Sequence, residues 1–559
     1  MAKGRQNVPL PRKGKSTHSE KQNQPPPTPS RDPRIPIILR SFAYVVIIAL
    51  NSQISQLTLA PVYGSLPSSI NHISTLTASF ILGYVWRNLL SPWTQADITP
   101  YTALYMVWMP ALQMLLSTIK STKDPILGPI AQGFLSCHAL TFLLAYSIAQ
   151  TLEPLNLSTS LGQVTAATLP AMALTFILLR PLQWLFAHYL PRSMPTPPLL
   201  QLLEGGFLAL ASHTKPYWLF TLAVPGVLHT FLANPHVNPG VATHLLSPHN
   251  LTLLDRSWSK TGYVSVVEDS KNGYRVLRAD HSLLGGEWLL TPARRAEGWR
   301  TEESIFGAFH LLEAVRLIDT EAGRRDAVRD ATALVVGLGA GTAPKALYAH
   351  GIDTTVVEVD PVVGRFARGY FGLPMGVRLE VADAKRWVRR RADAEEGGFD
   401  YIVHDVFTGG AEPEGLFGEE FLGMLRGLMA PDGAVAVLYA GRLEQEMTQR
   451  VLRTVYKVWE EQCRLFRDGD GEEGDFMNLV VFCRNKPGAE VRFREPTERD
   501  YLGSRMRRKY LVPREEWERE FPAADGVGEG DVKAQQEENA LRHWWMMRDM
   551  IPAALWEVW

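Results

Sequence analysis

The sequence predicts an α/β protein: a doubly wound parallel sheet, preceded by a small β meander and attached to an N-terminal bundle of membrane-spanning helices. Three observations predict it. Residues 333–360 read as strand, glycine turn, helix, strand. Strands and helices then keep alternating to about residue 485, as in a sheet covered on both faces. Between residues 35 and 235 the charged residues are only Arg40, Arg87, Asp97, Lys120, Lys123, Asp124, Glu153, Arg180, Arg192, Glu204 and Lys215, in a chain that is 21% charged overall. At 559 residues the chain is too long for one ordinary domain, and its net charge of -1 averages two unlike halves.

Residues 1–34 carry Lys3, Arg5, Arg12, Lys13, Lys15, Lys21, Arg31 and Arg34, with Pro25, Pro26, Pro27 and Pro29. They offer no apolar face to bury, so the segment is expected to be a disordered basic tail. A basic flank before the first apolar stretch predicts a cytosolic N-terminus. Residues 35–235 form the expected transmembrane helical domain, at about 20 residues per span. Its segments are 37–59, 70–90, 101–119, 126–151 and 164–190, with one or two more in 199–232 around Lys215 and Pro216. Six spans return the soluble half to the cytosol and seven place it opposite. The expectation is an integral membrane protein, with lipid as a partner and the soluble half cytosolic. His72 and His138 read as isolated histidines, and no cluster of intramembrane acids marks a transport path, so the bundle reads as an anchor.

Residues 236–250 read as a linker, and residues 251–330 as a β meander followed by a helix. Strand signals at 263–267 and 274–277 flank the turn Lys271, Asn272, Gly273, and 302–317 has helical periodicity. Residues 331–485 form the nucleotide unit. The apolar strand 333–336 leads into Gly337, Gly339 and Gly341, where bare main chain can turn sharply and lie against a ligand. The third glycine comes one residue too early for GxGxxG, which favours an adenosyl sulfonium over a dinucleotide. Glu358 ends the next strand, where an acid accepts from ribose hydroxyls. Strand 377–381 leads to Asp383 and Ala384, then to the basic helix 385–391, read as a solvated face and not as a nucleic-acid site. Strand 399–403 ends at His404 and Asp405. Helix 416–429, strand 434–439, helix 444–460 and a hairpin of 464–466 with 477–482 complete the unit. Residues 486–559 are a charged extension with a glycine-rich acidic linker at 523–538. Its end, holding Trp544, Trp545, Trp556 and Trp559, is expected to dock on the domain. Cys137, Cys463 and Cys483 suggest neither a disulfide framework nor a metal site.

The order of these parts resembles the spermidine/spermine synthase family, the polyamine aminopropyltransferases, over residues 257–484. The resemblance rests on SWSKTGYVSVVED and YRVLRADHSLLGGEWL, then VVGLGAG, VVEVD, VADAKRW, FDYIVHDVF and LFGEEFLGMLRGLMAPDGAVAV. It implies the Rossmann-like seven-stranded sheet shared with class I adenosylmethionine-dependent methyltransferases. It implies that Gly337, Gly339 and Gly341 line the adenosyl ligand, Glu358 holds the ribose, and Asp383 and Ala384 meet the adenine. Asp405 would be the catalytic residue, taking a proton from the attacking amine. The implied activity is aminopropyl transfer from decarboxylated S-adenosylmethionine to a small amine. The sequence departs from the family at two places. Ala340 stands where the family's turn carries the Asp that binds the cofactor's ammonium, and the DSSD segment reads Asp405, Val406, Phe407, Thr408. Ala340 favours an alternative, methyl transfer from intact S-adenosylmethionine on the same fold. A non-catalytic nucleotide-binding module serving the bundle is the third reading.

Overall fold

The structure, a computed structural model, describes residues 34–90, 96–119, 123–155, 162–189, 196–212, 214–320, 331–406, 415–469, 476–522 and 532–557. The basic tail and Thr408 lie outside the described residues. Three helices in the first half are long and apolar enough to cross a membrane: Arg34–Tyr63, Leu127–Leu155 and Thr168–Tyr189. Helices His72–Leu90 and Thr99–Ser117 have 19 residues each, and Pro197–Ala211 and Trp218–Leu232 have 15 each. The stretch expected to hold one or two helices therefore holds two, broken at Lys215 and Pro216. The bundle core gathers Tyr44, Ile48, Leu76, Phe80, Leu140 and Leu144. Gly83 lets two helices touch, since a Cβ there would lie 2.2 Å from the Phe142 carbonyl oxygen. His72 and His138 are not isolated: their ring centroids are 5.5 Å apart. Ser52 Oγ bonds His72 Nε2 at 2.8 Å, Gln183 donates to the same hydroxyl, and Thr75 bonds His138 at 3.0 Å. These two histidines are thus partnered by hydroxyl side chains of the bundle.

The meander is a five-stranded antiparallel sheet in chain order: β1 Leu251–Ser259, β2 Gly262–Asp269, β3 Tyr274–Ala279, β4 Ser282–Trp288 and β5 Glu303–Ser304. The helix expected from residue 302 begins only at Gly307, because Glu303 and Ser304 pair with Trp288 and Glu287. The second sheet holds β6 Thr332–Val336, β7 Asp353–Glu358, β8 Arg378–Val381, β9 Phe399–His404, β10 Met429–Gly441, β11 Cys463–Arg467, β12 Met477–Arg484 and β13 Glu518–Arg519. Its order is β13-β11-β12-β10-β9-β6-β7-β8, with β8 through β10 parallel and β12 antiparallel to β10. The expected seven strands become eight because Glu518 and Arg519 of the extension pair with Phe466 and Leu465. The central strands are apolar and buried on both faces, as a parallel sheet requires. Cys463 and Cys483, whose spacing suggested no disulfide framework, face each other across β11 and β12 and form a disulfide. Sequence spacing could not show this, since the pairing register places them together.

The two halves and the extension meet at Arg278. Its side chain is 1% exposed. The guanidinium donates to the carbonyl oxygens of Pro61 in the first helix at 2.8 Å, of Asp280 in its own hairpin at 2.7 Å, and of Leu555 in the extension. It also lies over the Trp556 ring at 4.8 Å. The extension docks as expected: Trp544 and Trp556 are buried on the meander, and Trp544 Nε1 donates to the Val62 carbonyl at 2.9 Å. Trp545 is exposed, and Trp559 lies outside the described residues. Burial pulls the Arg278 guanidinium down to about 9, still charged at neutral pH. Arg278→Met keeps an apolar stem and removes every donor from buried carbonyls. It should cost about 3 kcal/mol or more of stability and release the C-terminal helix early. Thermal melting with limited proteolysis measures both, and a wild-type melting profile would mean that apolar packing alone holds the junction.

Candidate functional site

A cavity of about 730 Å³ runs along the carboxyl edge of the large sheet and under the meander. This is where ligands bind in doubly wound sheets. Gly337 and Gly339 line it, as do Glu358, Asp383, Ala384 and Asp405. Gly341 is not among the lining residues. It stands at φ 79° before the helix Thr342–Ala349, a left-handed position that starts the helix, and packs on Leu373. Ala340 is also turned away. It is 4% exposed, and its methyl group packs toward Gly285 of β4. The glycine turn is pressed from two sides. A Cβ on Gly339 would sit 2.2 Å from the Leu284 carbonyl oxygen, and one on Gly337 would overlap the Asp405 carbonyl. Both positions therefore need glycine for close packing as much as for a ligand.

The strand ends set the side chains in a row. Asp383 caps the helix Ala384–Asp393 through the Arg386 amide at 3.0 Å. Glu358 ends β7, accepts from the Asp360 amide at 2.8 Å, and burial pushes its carboxyl up to about 7. Asp405 follows β9, with its amide on the Val336 carbonyl at 2.8 Å. Burial pushes its carboxyl up to about 7 as well. His404, next in line, points back into the core between Phe417 and Phe421 and takes no part in the cavity. Asp360 joins the two sheets: its carboxylate accepts from Ser259 and from Thr261 in the β1–β2 turn, and from the Val362 amide at 2.8 Å. Bare backbone at the turn, a carboxylate at the next strand end and an acid beyond it fit an adenosyl ligand. Among the described residues no group of three or more His, Cys, Asp or Glu is placed to hold a metal.

Beyond Asp405 the cavity continues as a second lobe that the sequence reading missed. Its floor is Leu438 and Ala440 of β10, and Asp468 and Asn478 stand at its end. Its wall is the meander turn Asp280–His281, the C-terminal helix Val532–Met550 through His543 and Trp544, and the end of the first helix at Tyr63. Asp280 accepts from the Tyr263 amide at 2.9 Å, and burial pushes its carboxyl up to about 6. These residues come from four distant parts of the chain, and no local motif links them.

No family model matches the chain. It is 35% identical, over an alignment of 557 residues, to an N-terminal histidine N-methyltransferase of Emericella nidulans, covering 92% of this chain and 96% of that protein. A polyamine aminopropyltransferase of Vibrio vulnificus is 33% identical over 106 residues, which is 18% of this chain and 35% of that one. Among solved structures, a probable spermidine synthase from Corynebacterium glutamicum covers 50% of this chain and 98% of its own, with 17% identity and a TM-score of 0.35.

The raised acids give the cavity a definite pH response. A carboxyl raised by burial binds its proton more tightly folded than unfolded, so its contribution to stability is lost as pH rises from the unfolded value toward about 7. A ligand that needs the carboxylate responds with the opposite sign. S-adenosylmethionine, with hydroxyls for Glu358, should bind about tenfold more weakly at pH 6 than at pH 8 for each acid that must ionise. Glu358→Gln should remove about tenfold of that dependence in calorimetric titrations. An undiminished dependence would move it to another group.

Proposed function

The chain belongs to the family of that N-terminal histidine N-methyltransferase, and from this premise we propose that it methylates a nitrogen of an N-terminal histidine on a polypeptide acceptor. It is a transferase, and S-adenosylmethionine is its co-substrate. The expectation of aminopropyl transfer is thereby corrected. The methyltransferase relative matches almost end to end, whereas the aminopropyltransferase matches only 18% of the chain. Residue 340 does not decide between the two, because the Ala340 methyl packs on the meander and not in the cavity.

The single observation that carries the mechanism is Asp405, a half-buried carboxylate between the glycine turn and the second lobe. When bound, the co-substrate supplies a methyl group on a positive sulfonium. Gly337 and Gly339 would lie along it, Glu358 would accept from its ribose, and Asp383 with Ala384 would meet the adenine. The acceptor nitrogen must present a free lone pair. At neutral pH an imidazole, with a pKa of about 6.5, is mostly unprotonated, whereas an α-amino group near 8 is mostly protonated. We therefore assign the methyl to the ring. Asp405 accepts the N–H of the second ring nitrogen, which fixes the tautomer and turns the lone pair of the first toward the methyl. As the new N–C bond forms and the thioether leaves, the ring becomes cationic, and its N–H proton passes to Asp405. A carboxyl near 7 is suited to take and release that proton at working pH. Asp405→Asn should leave S-adenosylmethionine affinity nearly unchanged and lower turnover of a His-first peptide by about 10²-fold or more. Product mass after single turnovers measures this, and normal turnover would remove Asp405 from the chemistry.

Seven apolar helices among the described residues of the first half, three of them long and apolar enough to span by themselves, together with the basic tail suggest that the soluble half lies across the membrane from the N-terminus. The disulfide Cys463–Cys483 agrees, because such bonds persist in oxidising compartments and are rare in the cytosol. We propose this side in place of the cytosol expected from six spans. On sealed vesicles oriented with the cytosolic face outward, the soluble half should resist added protease until detergent is present. Digestion without detergent would restore the cytosolic assignment.

A further inference from the structure

The strand order of the large sheet acts as a ruler along the cavity. From β8 inward come Asp383, Glu358 and the glycine turn, then Asp405 at β9, Ala440 on β10, Asn478 on β12, and Asp468 just past β11. The first four positions belong to the co-substrate and the transfer. The last three belong to whatever fills the second lobe. Asp405 and Asp468 follow strands three spacings apart, about 14 Å between backbones. Both side chains line the cavity between these strand ends. An aspartate at each end with one amino-acid residue hydrogen-bonded between them is of about that length.

Asp468 is built to receive a cation. Asn478 Nδ2 donates to Asp468 Oδ2 at 2.8 Å, and the Asp468 amide donates to the Asn478 carbonyl at 3.2 Å. These bonds fix the carboxylate against the strand end. No ion pair to Asp468 occurs among the described residues, although it lines the cavity. Burial raises its carboxyl, so a cation placed there would be favourable. A second observation marks the lobe as a binding site for a polar ligand. His281 is 3% exposed on its wall, with neither ring nitrogen hydrogen-bonded among the described residues. Trp544 stacks on one side of it at 5.3 Å and Trp556 approaches at 4.3 Å. Buried polar groups left without partners are rare in folded proteins, and here a ligand would complete one.

Resting on the methyl-transfer reading above, we propose that Asp468 is the specificity residue for a free chain terminus. Its carboxylate, backed by Asn478, takes the terminal α-ammonium of the acceptor, while the first side chain reaches Asp405. The chain beyond leaves past His281. An internal histidine, or one whose terminus is acetylated, has no charge to place there. The first residue of the acceptor is read by its two ends, and Asp468 reads the end that only a terminus possesses.

The test uses the full-length protein in detergent with S-adenosylmethionine and two peptides that differ only in a free or an acetylated His-first terminus. Wild type should favour the free peptide by about 10- to 100-fold in kcat/KM, mainly through KM, the loss expected for one charged hydrogen bond. Asp468→Asn should lower the free peptide to the acetylated level and leave both the acetylated peptide and co-substrate affinity unchanged. Asp468→Glu should recover part of the preference. An undiminished preference in Asp468→Asn, or equal losses on both peptides, overturns the assignment and makes Asp468 structural. A methyl group mapped to the α-nitrogen also overturns it, because the terminus would then lie at Asp405. Methylation of neither peptide by wild type would sink the N-terminal histidine reading itself, and the role of Asp468 with it.

Discussion

Three parts of the chain, remote in sequence, hold together through one buried cation. Arg278 reaches the first helix and the extension through neutral groups, while the buried Asp280 carboxyl of its own hairpin lies near enough to favour its charge. It is satisfied by carbonyl oxygens, from Pro61, Asp280 and Leu555, and by the face of Trp556. Carbonyls bring partial charges at a far lower desolvation cost than a second ion would. The guanidinium fork can reach several of them at once, which a lysine ammonium does with less directional control. The consequence is geometric. The meander turn, the end of the first helix and the C-terminal helix are walls of the second lobe. Each wall is placed by the same side chain, so the lobe exists only when all three are docked.

A second constraint works at the other end of the cavity. The meander does not merely precede the nucleotide unit; its β4 strand rests on the glycine turn. The Leu284 carbonyl occupies the space a side chain on Gly339 would need, and Gly285 makes room for the Ala340 methyl. Asp360 fastens the β1–β2 turn to the same unit. The turn therefore has one face for the ligand and one for the meander. Residue 340 falls on the meander face. A turn with an acid at that place, as in the aminopropyltransferase pattern, would need a different contact with the strand above it.

The parts legible in the sequence were those fixed locally. A strand end places its last side chain at the sheet edge whatever the rest of the chain does, so Glu358, Asp383 and Asp405 could be named from strand, turn and helix signals alone. Gly337 and Gly339 followed from the same pattern. Gly341 did not, because periodicity cannot tell a glycine that faces a ligand from one that starts a helix at positive φ. The second lobe was not legible. Asp280, His281, Asp468 and Trp544 meet through sheet order and docking, and contacts of that separation leave no trace in spacing. The same holds for Cys463 and Cys483, which become partners only once β11 and β12 are in register. The eighth strand and the delayed helix at Gly307 were missed for a related reason: two-residue strands carry too little pattern to show.

The placement of the bundle gives the apolar half a part in the cavity. As an anchor alone it would need no contact with the cavity. Instead Tyr63 and the turn after it, Gly64 to Pro67, line the second lobe opposite the sheet. The lobe is thus walled by a helix end that belongs to the apolar half and by a C-terminal helix that bonds to it through Trp544 and Val62. Tilting the bundle by a small angle would move Tyr63 and, through Arg278, His281 as well. The size of the lobe and the seating of the C-terminal helix are therefore one variable.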